Sequence, residues 1–127
     1  MDDYNFKKFE GRNARLEDRI TVTKSDSIGF PMKFYNDNNI KSQKYVILFY
    51  DEVKKAIGIF FTADETDKNK FTIMHSKDGY GGSVVARSFF RSLNIDTKKY
   101  HGRYQWEKKT IAGIGEVYII NLVEYKK

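Results

Sequence analysis

The sequence predicts an α+β domain, mostly β-strand with short helices, closed into a pseudo-two-fold barrel. Three observations lead there. The first is an internal repeat. Ile20-Thr21-Val22-Thr23-Lys24-Ser25 lies over Phe71-Thr72-Ile73-Met74-His75-Ser76, Phe34-Tyr35 over Phe89-Phe90, Asn39-Ile40 over Asn94-Ile95, and Tyr45 over Tyr100. A unit this short cannot bury its own apolar face, so two copies must pack on each other. The second is aromatic content: 16% of the 127 residues, a level that favours packed strands over disorder. The third is the alternation of short apolar runs with turn residues, which matches strands of four to seven residues.

The expected layout is an arm over 1–19, one barrel domain over 20–122 built from repeat 20–62 and repeat 71–122, and a tail over 123–127. Residues 1–18 have no sustained period. Phe6, Phe9 and Leu16 are spaced to dock on a core, with one short helix at most. Arg19 to Thr23 alternates, with Ile20 and Val22 on one face, and predicts a strand. Lys24-Ser25-Asp26-Ser27 is turn chemistry, because these short polar side chains bond their own backbone. Ile28-Gly29-Phe30 is a second extended piece. Pro31, whose fixed φ is already helical, then opens a helix over about Met32 to Asn38 with Phe34 and Tyr35 buried. Asn39 suits a left-handed cap, and Ile40 a return to the core. Tyr45–Tyr50 and Ala56–Thr62 flank a polar tip and predict a hairpin, apolar in part on both faces. Residues 64–70 form a charged connector.

The second copy predicts a strand over Phe71–Met74, a Gly-rich turn over 78–82, and a helix over Val84–Leu93 capped by Ser83. On that helix Val85, Ala86, Phe89, Phe90 and Leu93 fall on one stripe, with Arg87 and Arg91 sharing another face. Tyr100–Trp106 and Glu116–Leu122 then predict a second hairpin.

Composition narrows the function. The chain has no cysteine, which excludes disulfides and thiolate metal sites and fits a reducing cytoplasm. Met1-Asp2-Asp3-Tyr4 is acidic with no apolar run after it, so no signal peptide is expected, and no stretch reaches the length of a membrane span. Net charge is +6. Residues 20–62 carry six basic and four acidic side chains and residues 71–122 eight and four, so the excess is heavier in the second repeat. That balance suits a polyanion such as nucleic acid, and equally a solvated lysine-rich surface.

Catalytic chemistry finds little support. His75 and His101 are the two histidines, neither with a carboxylate at a recognisable spacing. The carboxylates are scattered singly without metal-ligand spacing. Gly79-Tyr80-Gly81-Gly82 resembles a phosphate cradle but lacks the Lys-Ser/Thr that completes one. No enzyme activity, cofactor or metal is expected. The basic set is more informative. Lys24 and His75 end the first strand of each repeat, Lys77 lies just beyond, Lys33 sits at the start of the first helix, and Arg87 and Arg91 ride on the second. A pseudo-two-fold axis would gather these six on one side of the barrel, arginine reading bases through its planar fork and lysine contacting phosphate. Arg87 and Arg91 also fit the solvated face of an amphipathic helix. Tyr104 and Trp106, beside Arg103, are candidates to stack on unpaired bases, although half-buried positions in a sheet suit them better.

Thr23-Lys24-Ser25-Asp26-Ser27, Ile28-Gly29-Phe30-Pro31, the helix 32–38, Asn39-Ile40 and the hairpin 45–61 follow one another in a recognisable order. This order resembles the AbrB-type swapped-hairpin DNA-binding family, which includes transition-state regulators and MazE-like antitoxins. The family makes its barrel from two chains with exchanged hairpins, and the resemblance implies that two tandem degenerate copies here make it alone. The chain departs from the pattern at Gln43-Lys44, where the family has Gly-Asp, and at Phe34-Tyr35-Asn36, where it has arginine. Val84-Val85-Ala86-Arg87 has no proline. The resemblance implies a non-enzymatic duplex-DNA-binding protein, a small transcription regulator or an accessory factor of a mobile element, acting as monomer or homodimer. Lys24, Lys33, His75, Lys77, Arg87 and Arg91 are then its DNA surface. About six phosphate contacts would cost on the order of a thousandfold in affinity between 50 and 200 mM salt. The alternative is a protein-interaction module, antitoxin-like or inhibitory, that uses the arm and the hairpins.

Overall fold

The computed structural model describes Asn5 and residues 17–125. Most of the expected arm, and the last two residues of the tail, lie outside the described residues.

Among the described residues, ten strands form two antiparallel sheets of five. In the first half, β1 (Ile20–Val22) and β2 (Ser27–Pro31) lead into helix α1 (Met32–Asp37) and a 3₁₀ turn at Ile40–Ser42, followed by the hairpin β3 (Tyr45–Asp51) and β4 (Ala56–Thr62). In the second half come β5 (Phe71–Thr72), β6 (Met74–His75), a 3₁₀ turn at Lys77–Gly79 and β7 (Gly81–Val85). These are followed by α2 (Arg87–Ser92), α3 (Thr97–Tyr100), β8 (Gly102–Tyr104) and the hairpin β9 (Glu107–Ile111) and β10 (Gly115–Asn121). The first sheet runs β6-β7-β2-β1-β8 and the second β5-β3-β4-β10-β9.

In each sheet four strands are arranged about a pair drawn one from each half, β2 with β7 and β4 with β10, and a fifth, β8 or β5, extends one side alone. The strands do not close into the expected barrel. The chain passes between sheets at Ile73, where β5 belongs to one ladder and β6 to the other. Edge strands β6 and β8, of two and three residues, end the first ladder without reaching the second sheet. The Ile73 amide donates to the Lys44 carbonyl at 2.9 Å and its side chain is buried, which fixes the crossing.

One core serves both sheets. Alternation puts Ile20 and Val22 of β1, Ile28 and Phe30 of β2 and Val84 of β7 inward from the first sheet. Val46, Ile57, Ile59, Tyr118 and Ile120 meet them from the second. Phe34 and Tyr35 enter from α1, Phe89 and Phe90 from α2. Asn39 and Asn94 adopt left-handed φ of 54° and 56°, as a short polar residue tolerates at a helix exit, and Ile40 and Ile95 follow each into the core.

Three expectations for the second half need correction. Residues 81–85 are strand, not the first turn of a helix, so Ser83 pairs with Gly29 in a ladder and caps nothing. Val85 consequently points outward at 47% exposure. Tertiary pairing decides this: β7 gives its backbone bonds to β2, and Gly81 sits at φ 126° so close that a Cβ would meet the Phe30 carbonyl oxygen at 2.6 Å. Tyr100 closes α3, and Gly102–Tyr104 pairs with β1, so Glu107–Ile111 is the hairpin partner of β10. The glycine-rich turn therefore precedes a strand, and no helix N-terminus stands behind it to hold phosphate.

No helix among the described residues is long and apolar enough to cross a membrane.

Candidate nucleic-acid interface

The β1–β2 turn is built by its own side chains. The Thr23 amide donates to the Ser27 carbonyl at 2.9 Å, and Thr23 Oγ1 accepts from the Ser27 amide at 3.1 Å. Asp26 takes the left-handed position at φ 65°. That conformation turns its carbonyl to the Ala86 amide, 2.8 Å away, which ties the turn of the first half to the helix of the second. Asp26 Oδ1 accepts the Thr97 hydroxyl at 2.7 Å, and the same hydroxyl lies 3.2 Å from the Lys24 carbonyl. Thr97, the one buried polar side chain among the described residues, thereby fastens α3 beneath the turn.

Arg87 and Arg91 stand one helical turn apart on α2, on the face toward Asp26. Asp26 Oδ2 is 3.7 Å from Nε of Arg91 and 4.0 Å from Nε of Arg87. The carboxylate is 16% exposed while the arginine side chains are 58% and 73% exposed. Lys24, Asp26, Arg87, Arg91, Thr97 and Lys98 line an open recess of about 330 Å³. Three of the six residues singled out in the sequence thus converge. Asp26, Thr97 and Lys98 join them unannounced, since nothing local in the sequence links positions 26 and 97.

The remaining three lie elsewhere. His75 closes β6 with both ring nitrogens engaged, Nε2 with the Gln43 carbonyl at 2.8 Å and Nδ1 with the Tyr35 hydroxyl at 2.7 Å. A carbonyl can only accept, so Nε2 is a donor to Gln43. Lys33 pairs with Asp37 one turn along α1, at 2.5 Å. Lys77 is exposed on the 3₁₀ turn.

The two groups occupy opposite ends of the β2–β7 pair. Ser27 faces Val85 beside the Asp26 cluster, and Pro31 faces Gly81 beside His75 and Lys77. Four residue steps at about 3.3 Å separate those ends by roughly 13 Å along the strands. The set is therefore two patches across a strand pair, the first denser in cations than the second.

A second carboxylate between two arginines stands at the outer edge of the same sheet. Glu17 accepts from Arg19 Nη2 at 2.8 Å and lies 3.4 Å from Arg103 Nη1. The bond from Arg19 holds its carboxyl down to about 2. Tyr104 and Trp106 are not platforms for bases. Burial pushes the Tyr104 phenol upward in pKa, and its one hydroxyl proton lies between the carbonyls of Tyr100 and Val123. The Trp106 indole donates to the Asp18 carbonyl at 2.9 Å while its ring packs on Phe34 and Tyr118.

The second sheet carries a different feature. Core-facing residues of β3 and β4 alternate with Ile47, Phe49, Gly58 and Phe60, and Val117 and Ile119 continue this outer face on β10. A Cβ at Gly58 would lie 2.9 Å from Val117, so glycine lets that side chain pack over the strand, and Phe49, Gly58, Val117 and Ile119 are among the residues lining a hollow of about 360 Å³.

No protein-family model, curated protein or solved structure matches the chain.

Proposed function

We propose that this chain is a non-enzymatic DNA-binding module of the cytoplasm, a small transcription regulator or an accessory factor of a mobile element. In this proposal its two halves are degenerate copies of a swapped-hairpin unit. The observation that carries the reading is the convergence of Lys24, Arg87, Arg91 and Lys98 on one recess, built by a turn from one half and helices from the other. Exposed arginines held side by side suit a duplex, where each fork can bridge two acceptors of a guanine or a phosphate. The net charge of +6 supplies the non-specific attraction. A pair drawn one strand from each half in both sheets, β2 with β7 and β4 with β10, supports the copy relation.

Fluorescence anisotropy with a labelled mixed-sequence duplex tests the reading. At 50 mM salt the wild-type chain is expected to bind, and the Arg87→Ala, Arg91→Ala pair to bind at least about tenfold more weakly, since each good arginine contact contributes roughly 1–3 kcal/mol. A wild-type chain with no affinity for duplex DNA at that salt refutes it.

The outer face of the hairpin sheet favours a second reading, a protein-interaction module. The occupant that best fits is a second copy of this chain. Asp51 and Glu107 rim the hollow together with Lys54 and Lys109, and a two-fold axis can set the acids of such a mixed rim against the lysines of its copy. Phe49, at 36% exposure, would be the anchor. Sedimentation velocity should show a dimer that Phe49→Lys converts to monomer. A monomer at all concentrations up to about 100 μM, well above the micromolar range in which standard-size interfaces associate, removes this reading.

A further inference from the structure

Asp26 is an odd residue to find at the centre of a surface that attracts polyanions. Its carboxylate lines the recess and subtracts one charge from it. It is also the most heavily engaged side chain there. One oxygen accepts the Thr97 hydroxyl at 2.7 Å, and the other stands within 4.0 Å of both arginines. The nearest guanidinium atom in each case is Nε, so the paired Nη groups lie farther from the carboxylate. No hydrogen bond among the described residues occupies those groups.

We propose, resting on the DNA-binding reading above, that Asp26 is a positioning residue that grips Arg87 and Arg91 by their Nε sides and presents both Nη edges outward to guanine. An arginine reads guanine by placing two N–H groups on O6 and N7, which requires the fork to arrive at a fixed angle. A free surface arginine samples many rotamers and loses that freedom on binding. Holding two guanidinium groups against one anchored carboxylate removes part of that loss in advance. The anchor is itself rigid, because the Asp26 backbone bonds Ala86 and its side chain bonds Thr97. The design spans three elements, the β1–β2 turn, α2 and α3, so the geometry exists only when the two halves are docked.

The sign of one substitution separates positioning from simple electrostatics. Asp26→Asn keeps the left-handed φ within reach, since asparagine tolerates that region, and keeps an oxygen for Thr97. It removes only the negative charge and so raises the net charge by one. Electrostatics alone then predicts tighter binding to any duplex. Positioning predicts the reverse on a duplex that contains guanine. Anisotropy would compare wild type, Asp26→Asn and the Arg87→Lys, Arg91→Lys pair on a mixed-sequence 20-base-pair duplex and on an A·T-only duplex of equal length. Asp26→Asn is expected to lose about tenfold on the mixed duplex, the discrimination of one bidentate contact, and to lose nothing on the A·T duplex. The lysine pair, which keeps the charge and lacks the fork, should show the same pattern, and the triple variant should show no further loss. The lysine pair leaves the turn intact and carries the test even if Asp26→Asn disturbs folding. Asp26→Asn binding the mixed duplex as tightly as wild type, or more tightly, overturns the inference while leaving DNA binding in place. Wild type binding neither duplex removes the underlying reading and this inference with it.

Discussion

Between 50 and 200 mM salt, affinity for duplex DNA is expected to fall roughly 300-fold, a slope near −4 in a plot of log affinity against log salt. The slope counts cations that displace condensed counterions, at about 0.9 per phosphate contact. Six cations would give a slope steeper than −5 and on the order of a thousandfold. The structure argues for fewer. Lys33 already has a counter-charge in Asp37 at 2.5 Å, and both ring nitrogens of His75 are already engaged by Gln43 and Tyr35. Lys24, Lys77, Arg87, Arg91 and Lys98 remain. Arg87 and Arg91 are discounted in part because Asp26 lies within 4.0 Å of both. Anisotropy at four or more salt concentrations measures the slope. A slope shallower than about −2 would mean that the patches do not meet phosphate together. One near −6 would mean that Lys33 and His75 exchange their partners for DNA.

The two-patch arrangement also shows what the sequence could reveal. The two helix exits were legible because local chemistry sets the backbone there. Asn39 and Asn94, each followed by an isoleucine, mark left-handed exits because few other residues adopt that φ cheaply, and both exits are there. The hairpin β3–β4 was legible because two apolar runs flank a polar tip of fixed length. Even the apolar character of both faces of β3, Val46 and Leu48 inward with Ile47 and Phe49 outward, could be seen as an unbroken run. What failed was decided at long range. Val85, Ala86, Phe89 and Phe90 fit a helical period as well as any strand, and only the ladder with β2 makes 81–85 extended. Tyr100–Trp106 reads as a hairpin strand until β1 takes Gly102–Tyr104 as its own partner. The meeting of Asp26 with Arg87, Arg91 and Thr97 joins residues more than sixty positions apart. No spacing rule could announce it, although the turn residue itself stood in the motif. The expected barrel and the observed pair of sheets differ for the same reason. The longer strands follow from local pattern, whereas closure depends on whether two- and three-residue edge strands find partners across the core.

The same long-range logic makes Phe34 the position where truncation should cost most. Its side chain is wholly buried, and its ring lies 5.1 Å from that of Trp106, 5.2 Å from Tyr118, 5.8 Å from Phe30 and 6.2 Å from Phe61. Those four partners come from β2, β4, β10 and the segment entering β9, so one side chain from a six-residue helix joins both sheets and both halves. Two of the pairs, with Trp106 and Tyr118, are edge-to-face, a geometry that adds to simple area burial. Phe34→Ala removes a buried ring from a site whose neighbours are themselves rigid aromatics and cannot collapse into the space. A loss of about 3–5 kcal/mol follows, with a fall in melting temperature of roughly 15 °C. That is a large share of the stability of an ordinary domain of this size. Phe49→Lys, a change of similar chemical violence on the exposed face of β3, should leave the melting temperature within a few degrees, because surface positions away from such features rarely move stability. Thermal denaturation followed by circular dichroism compares the two directly. A loss below about 1 kcal/mol at Phe34 would show that the halves are held by their strand pairs alone. A large loss there with β-rich structure retained would show that the ring cluster fixes how the sheets dock. The cation patches at the two ends of β2 and β7 would then lose their common frame.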